Sequence, residues 1–189
     1  MVAAVRRQLG PVGVLVCNAG VARALPLDQL DLATWDETIA TNLRSAFLLS
    51  SAVIPDMRAR RWGRLIDLSS TAARVGGIVG PHYAASKAGL EGLMHSDASQ
   101  VAREGITANA IAPAHVATDM TAGLPAARPE RLPVGRPGDT DEVAAIAVAV
   151  ASNAFMTQQT IQVNGGAYMT QAARTRPTRR RSCGRCAWR

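Results

Sequence analysis

Short apolar runs alternate with longer amphipathic stretches along most of the chain. The apolar runs are typical of buried parallel strands and lie at residues 12–17, 64–69, 107–112 and 160–163. The stretches between them predict helices at residues 1–9, 34–60, 83–104 and 141–152.

Local signals mark the ends of these helices. Gly10-Pro11 and Gly105 end two of them, and Thr34 with Glu37 predicts a capping box at the start of a third. We also expect an interruption near Asn42. Alternating strands and helices predict an α/β fold with a parallel sheet.

One long connection separates the third predicted strand from the last helix. Residues 113–139 are rich in Pro, Gly and Ala, and their apolar positions follow neither the helical period of about 3.6 residues nor the strand period of 2 clearly. A connection of this length inside a compact domain is often functional. We therefore expect a mobile lid at this end of the sheet.

Composition narrows the class of protein. The chain has 189 residues, of which 48% are apolar, enough for one domain with a core. It contains no run of eighteen apolar residues and no signal peptide, which predicts a cytoplasmic protein that does not bind membranes. Cys17, Cys183 and Cys186 form no disulfide framework, and no spacing predicts a metal site.

The formal charge of +7 comes from the end of the chain. Residues 171–189 contain seven arginines and no acidic residue, whereas residues 1–170 hold fourteen basic and fourteen acidic residues. We therefore divide the chain into a folded domain, 1–170, and a basic, disordered tail, 171–189. A neutral folded domain does not predict specific nucleic-acid binding.

Lys87 is the only lysine among twenty-one basic residues, and it follows Tyr83 by four positions. Residues four apart share one face of a helix, so the two side chains can act on one small target. Lysine is a compact point charge whose pKa shifts readily, which arginine is not. We expect its ammonium to lower the Tyr83 pKa and make the phenol a general acid/base.

Further motifs accompany this pair. Asn18-Ala19-Gly20 follows the first strand, Ser70 follows the second, Asn42 lies within a helix, and Pro113 to Thr118 follows the third strand. Together with Tyr83-x-x-x-Lys87, these motifs resemble the short-chain dehydrogenase/reductase family, in its order and spacing. The resemblance runs from about Val12 to Met169.

The resemblance implies a site and a cofactor. The implied catalytic residues are Asn42, Ser70, Tyr83 and Lys87. The implied contacts to NAD or NADP are Asn18, Ala19, Gly20, Tyr83, Lys87, Pro113, Val116 and Thr118. In this scheme Tyr83 protonates the substrate carbonyl, Ser70 orients it, Lys87 holds the nicotinamide ribose, and Asn42 binds a water that relays protons.

A Gly-rich phosphate-binding turn does not occur before Asn18. A doubly wound dinucleotide fold normally begins with such a turn after its first strand. We therefore expect a partial, Rossmann-like, doubly wound parallel sheet that lacks the first βαβ units, as in an N-terminally truncated member of the family. The strand at residues 12–17 would then be an exposed apolar edge.

Four positions depart from the family pattern. Cys17 stands where an asparagine is usual, and Asp67 replaces an asparagine in a strand. A buried carboxylate there must find partners or stay protonated. Ala114 and Gln158 stand where glycine is usual. Ala114 strains its loop if that position needs a positive φ, and Gln158 is expected to lower stability. His82 is expected in a loop or on a helix surface.

Two functions remain open. Residues 58–64 and 162–166 are most similar to the reductases of 3-oxoacyl thioesters, which implies hydride transfer between NAD(P) and a ketone or secondary alcohol. Sugar and polyol dehydrogenases stay open. The family implies a homo-oligomer that assembles through the helices at residues 42–60 and 84–104. The alternative is an inactive truncated chain that associates with full-length subunits.

Overall fold

The structure is a computed structural model, which describes residues 1–122, 124, 130 and 132–167. The α-helices are α1 (Val2–Leu9), α2 (Leu32–Ile39), α3 (Ser45–Arg60), α4 (Ala72–Val75), α5 (Pro81–Val101), α6 (Asp119–Ala122) and α7 (Thr140–Ser152). The strands are β1 (Val14–Cys17), β2 (Gly63–Leu68), β3 (Ile106–Pro113) and β4 (Thr160–Val163). The predicted basic tail lies outside the described residues, as does part of the predicted lid.

The described strands form one parallel sheet in the order β1-β2-β3-β4. Cys17 on β1 pairs with Asp67 on β2, and Asp67 pairs with Ala110 on β3. Since each crossover carries a helix, the sheet with its flanking helices is Rossmann-like. The predicted α/β class is confirmed.

Helices cover the two faces of the sheet unequally. On one face α3 and α5 enclose a core of Val53, Met57, Leu65, Met94, Ala98, Val101, Ile106, Ala108 and Ala110. On the other face α7 covers a smaller buried cluster of Ile66, Ile111 and Val150. Successive side chains of a strand point to opposite faces, which places Leu65 in the first cluster and Ile66 in the second.

The strand β1 is an edge strand of the described sheet, as expected. Val14 and Val16 point to the face that carries α7 and remain 41% and 45% exposed. The neighbouring Leu15 packs instead against the α3/α5 core. β1 is thus covered on one face only.

The start of α2 differs from the prediction. Asp31, and not Thr34, is the N-cap: its Oδ1 accepts a hydrogen bond of 2.7 Å from the Thr34 backbone N–H. Thr34 is buried inside the helix. Aspartate is a better N-cap than threonine, so the helix begins at Leu32, directly after Asp31.

The other helix ends follow local chemistry. The predicted interruption near Asn42 is a π-helical turn, Ala40–Arg44, between α2 and α3. The helix α7 begins one residue before its predicted start, because Asp139 and Glu142 form a capping box. The helix α5 begins at Pro81, the favoured first-turn position of proline.

Of the two positions at which this chain replaces a usual glycine, Ala114 and Gln158, one has a positive φ. Gln158 has a φ of 63°, whereas Ala114 is not among the described non-glycine residues with positive φ. The condition for strain at Ala114 is therefore not met, whereas Gln158 adopts the positive φ that favours the glycine it replaces. None of the described helices combines the length and the hydropathy that crossing a membrane requires.

Candidate active site

A cavity of about 690 Å³ opens at the carboxyl ends of the strands. In open parallel sheets this is where ligands bind. Its walls include Asn18, Ala19, Gly20, Ser70, Tyr83, Lys87, Pro113, Val116 and Thr118. All the residues implied to contact the cofactor therefore line one cavity, together with three of the four implied catalytic residues.

Tyr83 and Ser70 meet at this cavity from different elements. Tyr83 lies in the first turn of α5, and Ser70 follows β2. The Ser70 Oγ accepts a 3.1 Å hydrogen bond from the Ala72 N–H, which holds it at the start of α4. Burial raises the pKa of Tyr83, and a hydrogen bond between the Ser70 and Tyr83 side chains opposes that rise.

The raised pKa contradicts one expectation. Lys87 was expected to lower the Tyr83 pKa, yet its Nζ lies 5.6 Å from the Tyr83 ring centroid. It donates instead to the Leu68 carbonyl, at 2.7 Å. Helical spacing does bring the pair together, but burial dominates the pKa of the phenol, and it is the hydrogen bond with Ser70 that opposes the rise.

Lys87 is itself perturbed by burial. It is only 5% exposed, and burial lowers its pKa to about 8, while the negative charge of Asp67 opposes the change. An amine with such a pKa can change its protonation close to neutral pH. The site thus holds a weakly acidic phenol beside an easily deprotonated ammonium.

Asn42 lies behind the cavity wall and fixes the backbone after Gly20. Its Oδ1 accepts from the Val21 N–H at 2.8 Å, and its Nδ2 donates to the Val21 carbonyl at 3.0 Å. Nδ2 also lies 3.1 Å from the Ser86 Oγ. The π-helical turn aims Asn42 at this segment, a use of π turns that is common at functional sites. Asn42 therefore acts on the site through the loop that it holds.

Glycine at position 20 keeps the cavity floor open. A Cβ at Gly20 would lie 3.3 Å from the Asn42 Oδ1 and 3.5 Å from the Lys87 Nζ. A larger residue would fill the space beside the ammonium. The tight approach to the Asn42 amide favours glycine at position 20.

Cys17 and Asp67 are paired neighbours on β1 and β2, where Asp67 is buried and Cys17 is half-buried. Burial raises the pKa of Asp67 to about 7, and the hydrogen bond to Cys17 and the charge of Lys87 oppose that rise. Burial and the nearby carboxylate raise the pKa of Cys17, so it remains a thiol. The expectation that Asp67 must find partners or stay protonated is met in both ways: Cys17 is a hydrogen-bond partner, and the raised pKa favours the protonated form.

Several supporting residues were not predicted. Ser69 Oγ donates to the Lys87 carbonyl at 3.1 Å and lies 3.1 Å from Glu91 Oε1. Glu91 also forms a 2.5 Å ion pair with Arg74. These contacts tie α5 to β2 and α4. The only sequence signal was the second hydroxyl in Ser69-Ser70.

His82 was predicted in a loop or on a helix surface, and this prediction is wrong, because His82 lies in the first turn of α5. It is completely buried, and its Nε2 donates to the Arg23 carbonyl at 3.0 Å. The loop 21–25 covers this face of α5, and a contact between distant segments leaves no local signal in the sequence. His82 therefore fastens that loop beside Tyr83.

Comparison with known proteins identifies the family. Residues 1–129 match the family model described as short chain dehydrogenase. The chain belongs to the short-chain dehydrogenase family. It is 40% identical over 172 residues to a 3-oxoacyl-[acyl-carrier-protein] reductase of Pseudomonas aeruginosa, covering 88% of this chain and 70% of that protein.

Other relatives agree with this assignment. The 3-oxoacyl-[acyl-carrier-protein] reductase of Escherichia coli is 40% identical over 171 residues, with 87% of this chain and 70% of the relative covered. Nodulation protein G of Azospirillum brasilense is 38% identical over 172 residues, with 88% and 70% covered. As a short-chain dehydrogenase, the chain is an oxidoreductase that acts on CH–OH groups with a nicotinamide cofactor.

The cavity fits the nicotinamide end of that cofactor. Leu68 and Val116 offer apolar surface to a ring, whereas Asn18 and Lys87 offer hydrogen-bond donors. No strand followed by a Gly-rich turn and a helix precedes β1 within the described residues.

Proposed function

We propose that this chain reduces the 3-oxo group of an acyl thioester to the 3-hydroxy product, with NADH or NADPH as the reductant. The observation that carries the proposal is the convergence of Ser70, Tyr83 and Lys87 at one cavity. The relatives that share most of its length are reductases of 3-oxoacyl thioesters, which supports this substrate class.

The proposed chemistry follows from the side chains. When bound, the reduced nicotinamide supplies the hydride to the carbonyl carbon. Tyr83 donates its hydroxyl proton to the carbonyl oxygen, which completes the secondary alcohol. Because burial keeps the pKa of Tyr83 high, the phenol is protonated before reaction and is suited to act as the acid.

The remaining residues orient these groups. Ser70 lines the same cavity, and when a substrate is bound its hydroxyl turns from Tyr83 and donates to the same carbonyl oxygen. Lys87 holds the ribose hydroxyls and supplies positive charge as the phenol loses its proton. Asn42 positions the loop that contains Gly20, and it could also hold the water of a proton relay to Lys87.

The test is turnover of a 3-oxoacyl thioester with each cofactor by wild type and by Tyr83→Phe. We expect Tyr83→Phe to lower kcat by about 10²–10⁴-fold, with little change in cofactor affinity. Ser70→Ala should also lower kcat, whereas the matched change Ser96→Ala, on the exposed surface of α5, should not. Full turnover by Tyr83→Phe would refute the assigned acid.

Assembly is a second part of the proposal. Phe47 and Leu48 on α3 are 52% and 57% exposed, although they are large and apolar. Such adjacent apolar residues on one long helix support a contact between copies of the chain. Light scattering should give a mass above that of one chain, and Phe47→Asp with Leu48→Asp should restore the monomer mass.

A different observation favours an inactive subunit. Val14 and Val16 leave one face of β1 open, and the described residues hold no phosphate-binding turn. Under this second candidate the chain binds neither NADH nor NADPH and associates with full-length relatives. Fluorescence titration of both cofactors distinguishes the two, because saturable binding in the micromolar range contradicts the second candidate.

The domain division also remains a proposal. Residues 1–170 would form the catalytic domain and 171–189 a separate basic tail, since all the excess charge lies in the tail. Limited proteolysis with trypsin should remove the tail first. Cleavage that begins within β2 or α5 would contradict the division.

A further inference from the structure

Glu91 is a buried carboxylate that the reaction proposed above does not use. It lies on α5 and is 5% exposed. It follows Lys87 by four residues and Tyr83 by eight, so the three side chains share one face of the helix. Burying a carboxylate is costly unless a charge partner and hydrogen bonds compensate it. The groups that compensate Glu91 therefore indicate what this side chain holds in place.

Both carboxylate oxygens of Glu91 contact the segment that follows β2. Oε1 accepts a hydrogen bond of 3.1 Å from the Ser69 Oγ, a hydroxyl that also lies 3.1 Å from the Lys87 carbonyl. Oε2 forms an ion pair with the Arg74 Nη2, at 2.5 Å. Glu91 thus connects both ends of residues 69–74 to α5.

Ser70 lies between these two anchored residues. Its Oγ accepts a hydrogen bond from the Ala72 N–H at 3.1 Å, and the Thr71 N–H donates to the Pro113 carbonyl at 2.9 Å. Arg74 belongs to α4, a helix of four residues that has little stability of its own. The ion pair to Glu91 therefore fixes α4, and with it the turn that presents Ser70, to α5.

The two partners of the ion pair differ in exposure. The Glu91 side chain is 6% exposed and the Arg74 side chain 45%. Loss of the Arg74 cation would leave a buried carboxylate without its charge partner, which is more costly than loss of a pair at the surface. The pair should therefore hold α4 more firmly than an ion pair between two exposed side chains would.

We propose that Glu91 is a positioning residue that, together with Ser69 and Arg74, holds Ser70 in a fixed place relative to Tyr83. The catalytic meaning of this inference rests on the proposed function, whereas the link between α4 and α5 does not. A hydroxyl that orients a substrate carbonyl must be held in place, because a small displacement of such a group lowers the rate strongly.

Amide hydrogen exchange, measured without substrate or cofactor, tests the link. Arg74→Met removes the cation from a position that is half exposed, so the chain should still fold. We expect exchange of the amides of residues 72–76 to accelerate about tenfold or more, because a charged contact that holds α4 is lost. Exchange of residues 88–98, within α5, should remain as in wild type. Arg74→Lys, which keeps a cation, should restore most of the protection.

Arg58→Met is the matched control. Arg58 forms an ion pair of 2.9 Å with Glu104, and its side chain is 47% exposed, close to the value for Arg74. Because Arg58 lies on α3, its removal should leave the exchange of residues 72–76 unchanged. Unchanged exchange in Arg74→Met overturns the proposal, as does an equal acceleration in Arg74→Met and Arg58→Met.

Kinetics give a readout that a general loss of stability would not change. Arg74→Met should lower kcat for a 3-oxoacyl thioester by about tenfold to a hundredfold, with the KM of the cofactor unchanged. In a chain that already carries Ser70→Ala, the same substitution should have little further effect, because the ion pair acts through Ser70. An equal loss in both backgrounds overturns the positioning role. A wild-type chain without turnover would contradict the proposed function alone, since hydrogen exchange decides the link.

Discussion

The two faces of the sheet are built to different degrees of completeness. Under α3 and α5 the side chains of β1, β2 and β3 are enclosed in one core, whereas α7 covers β2 and β3 and leaves Val14 and Val16 of β1 exposed. Tyr83 and Lys87 both lie on α5, a helix of the well-packed face. The cavity has residues of α5, of α7 and of the open strand β1 in its walls, among them Lys87, Val143 and Val16. Rigid packing thus holds the proposed catalytic groups, and incomplete packing provides the space for ligands.

The largest difference between the two faces is expected in the free energy of unfolding that is lost when a core side chain is truncated. Met94 on α5 is fully buried, and Met94→Ala should lower the free energy of unfolding by about 2–5 kcal/mol. Ile146→Ala, on the partly buried face of α7, should cost about 1–2 kcal/mol. Urea denaturation of both variants measures the difference. Equal losses would contradict the unequal packing of the faces.

Asp67 is the exception within the well-packed face, and its effect should depend on pH. Its folded pKa, about 7, lies above the ordinary value near 4. The folded chain therefore binds this proton more tightly, and the stabilisation present below about pH 4 is lost as the pH rises through 7. Asp67→Asn should be more stable than wild type by on the order of 2–4 kcal/mol near pH 8, and by much less near pH 4. A pH-independent difference would show that Asp67 does not titrate in this range.

Val14 tests whether the face of β1 beside α7 is open in solution. At 41% exposure, Val14→Ala should lower the free energy of unfolding by about 1 kcal/mol or less. A loss of about 2 kcal/mol or more would mean that another molecule covers the strand. Repeating the denaturation at several protein concentrations identifies such cover, because association makes stability depend on concentration.

The smallest effect is expected in the turn between α7 and β4. Gln158 has a positive φ of 63° and an exposed side chain. Gln158→Gly should stabilise the chain by about 0.5 kcal/mol, because relief of strain slightly exceeds the greater backbone entropy of glycine in the unfolded state. Gln158→Val should have the opposite sign. Differential scanning calorimetry of the two variants provides the comparison.

Local pattern predicted most elements of this fold. The strand β4 has its predicted bounds, and α1 ends at Gly10 as expected. The start of α2 was misplaced because two residues with capping side chains, Asp31 and Thr34, lie within one turn. The short helices α4 and α6 were missed, since four residues carry too little periodicity to distinguish a helix from a loop.

The sequence by itself determined which groups could meet. Tyr83 and Lys87 share a helix face because of their spacing, and Ser70 joins them because parallel strands end at one edge of the sheet. Only the tertiary structure decided how those groups titrate. Burial raises the pKa of Tyr83 and lowers that of Lys87, and the charge of Asp67, twenty residues earlier in the chain, opposes the change at Lys87. Spacing is a local property of the chain, whereas desolvation and charge depend on everything that packs around a side chain.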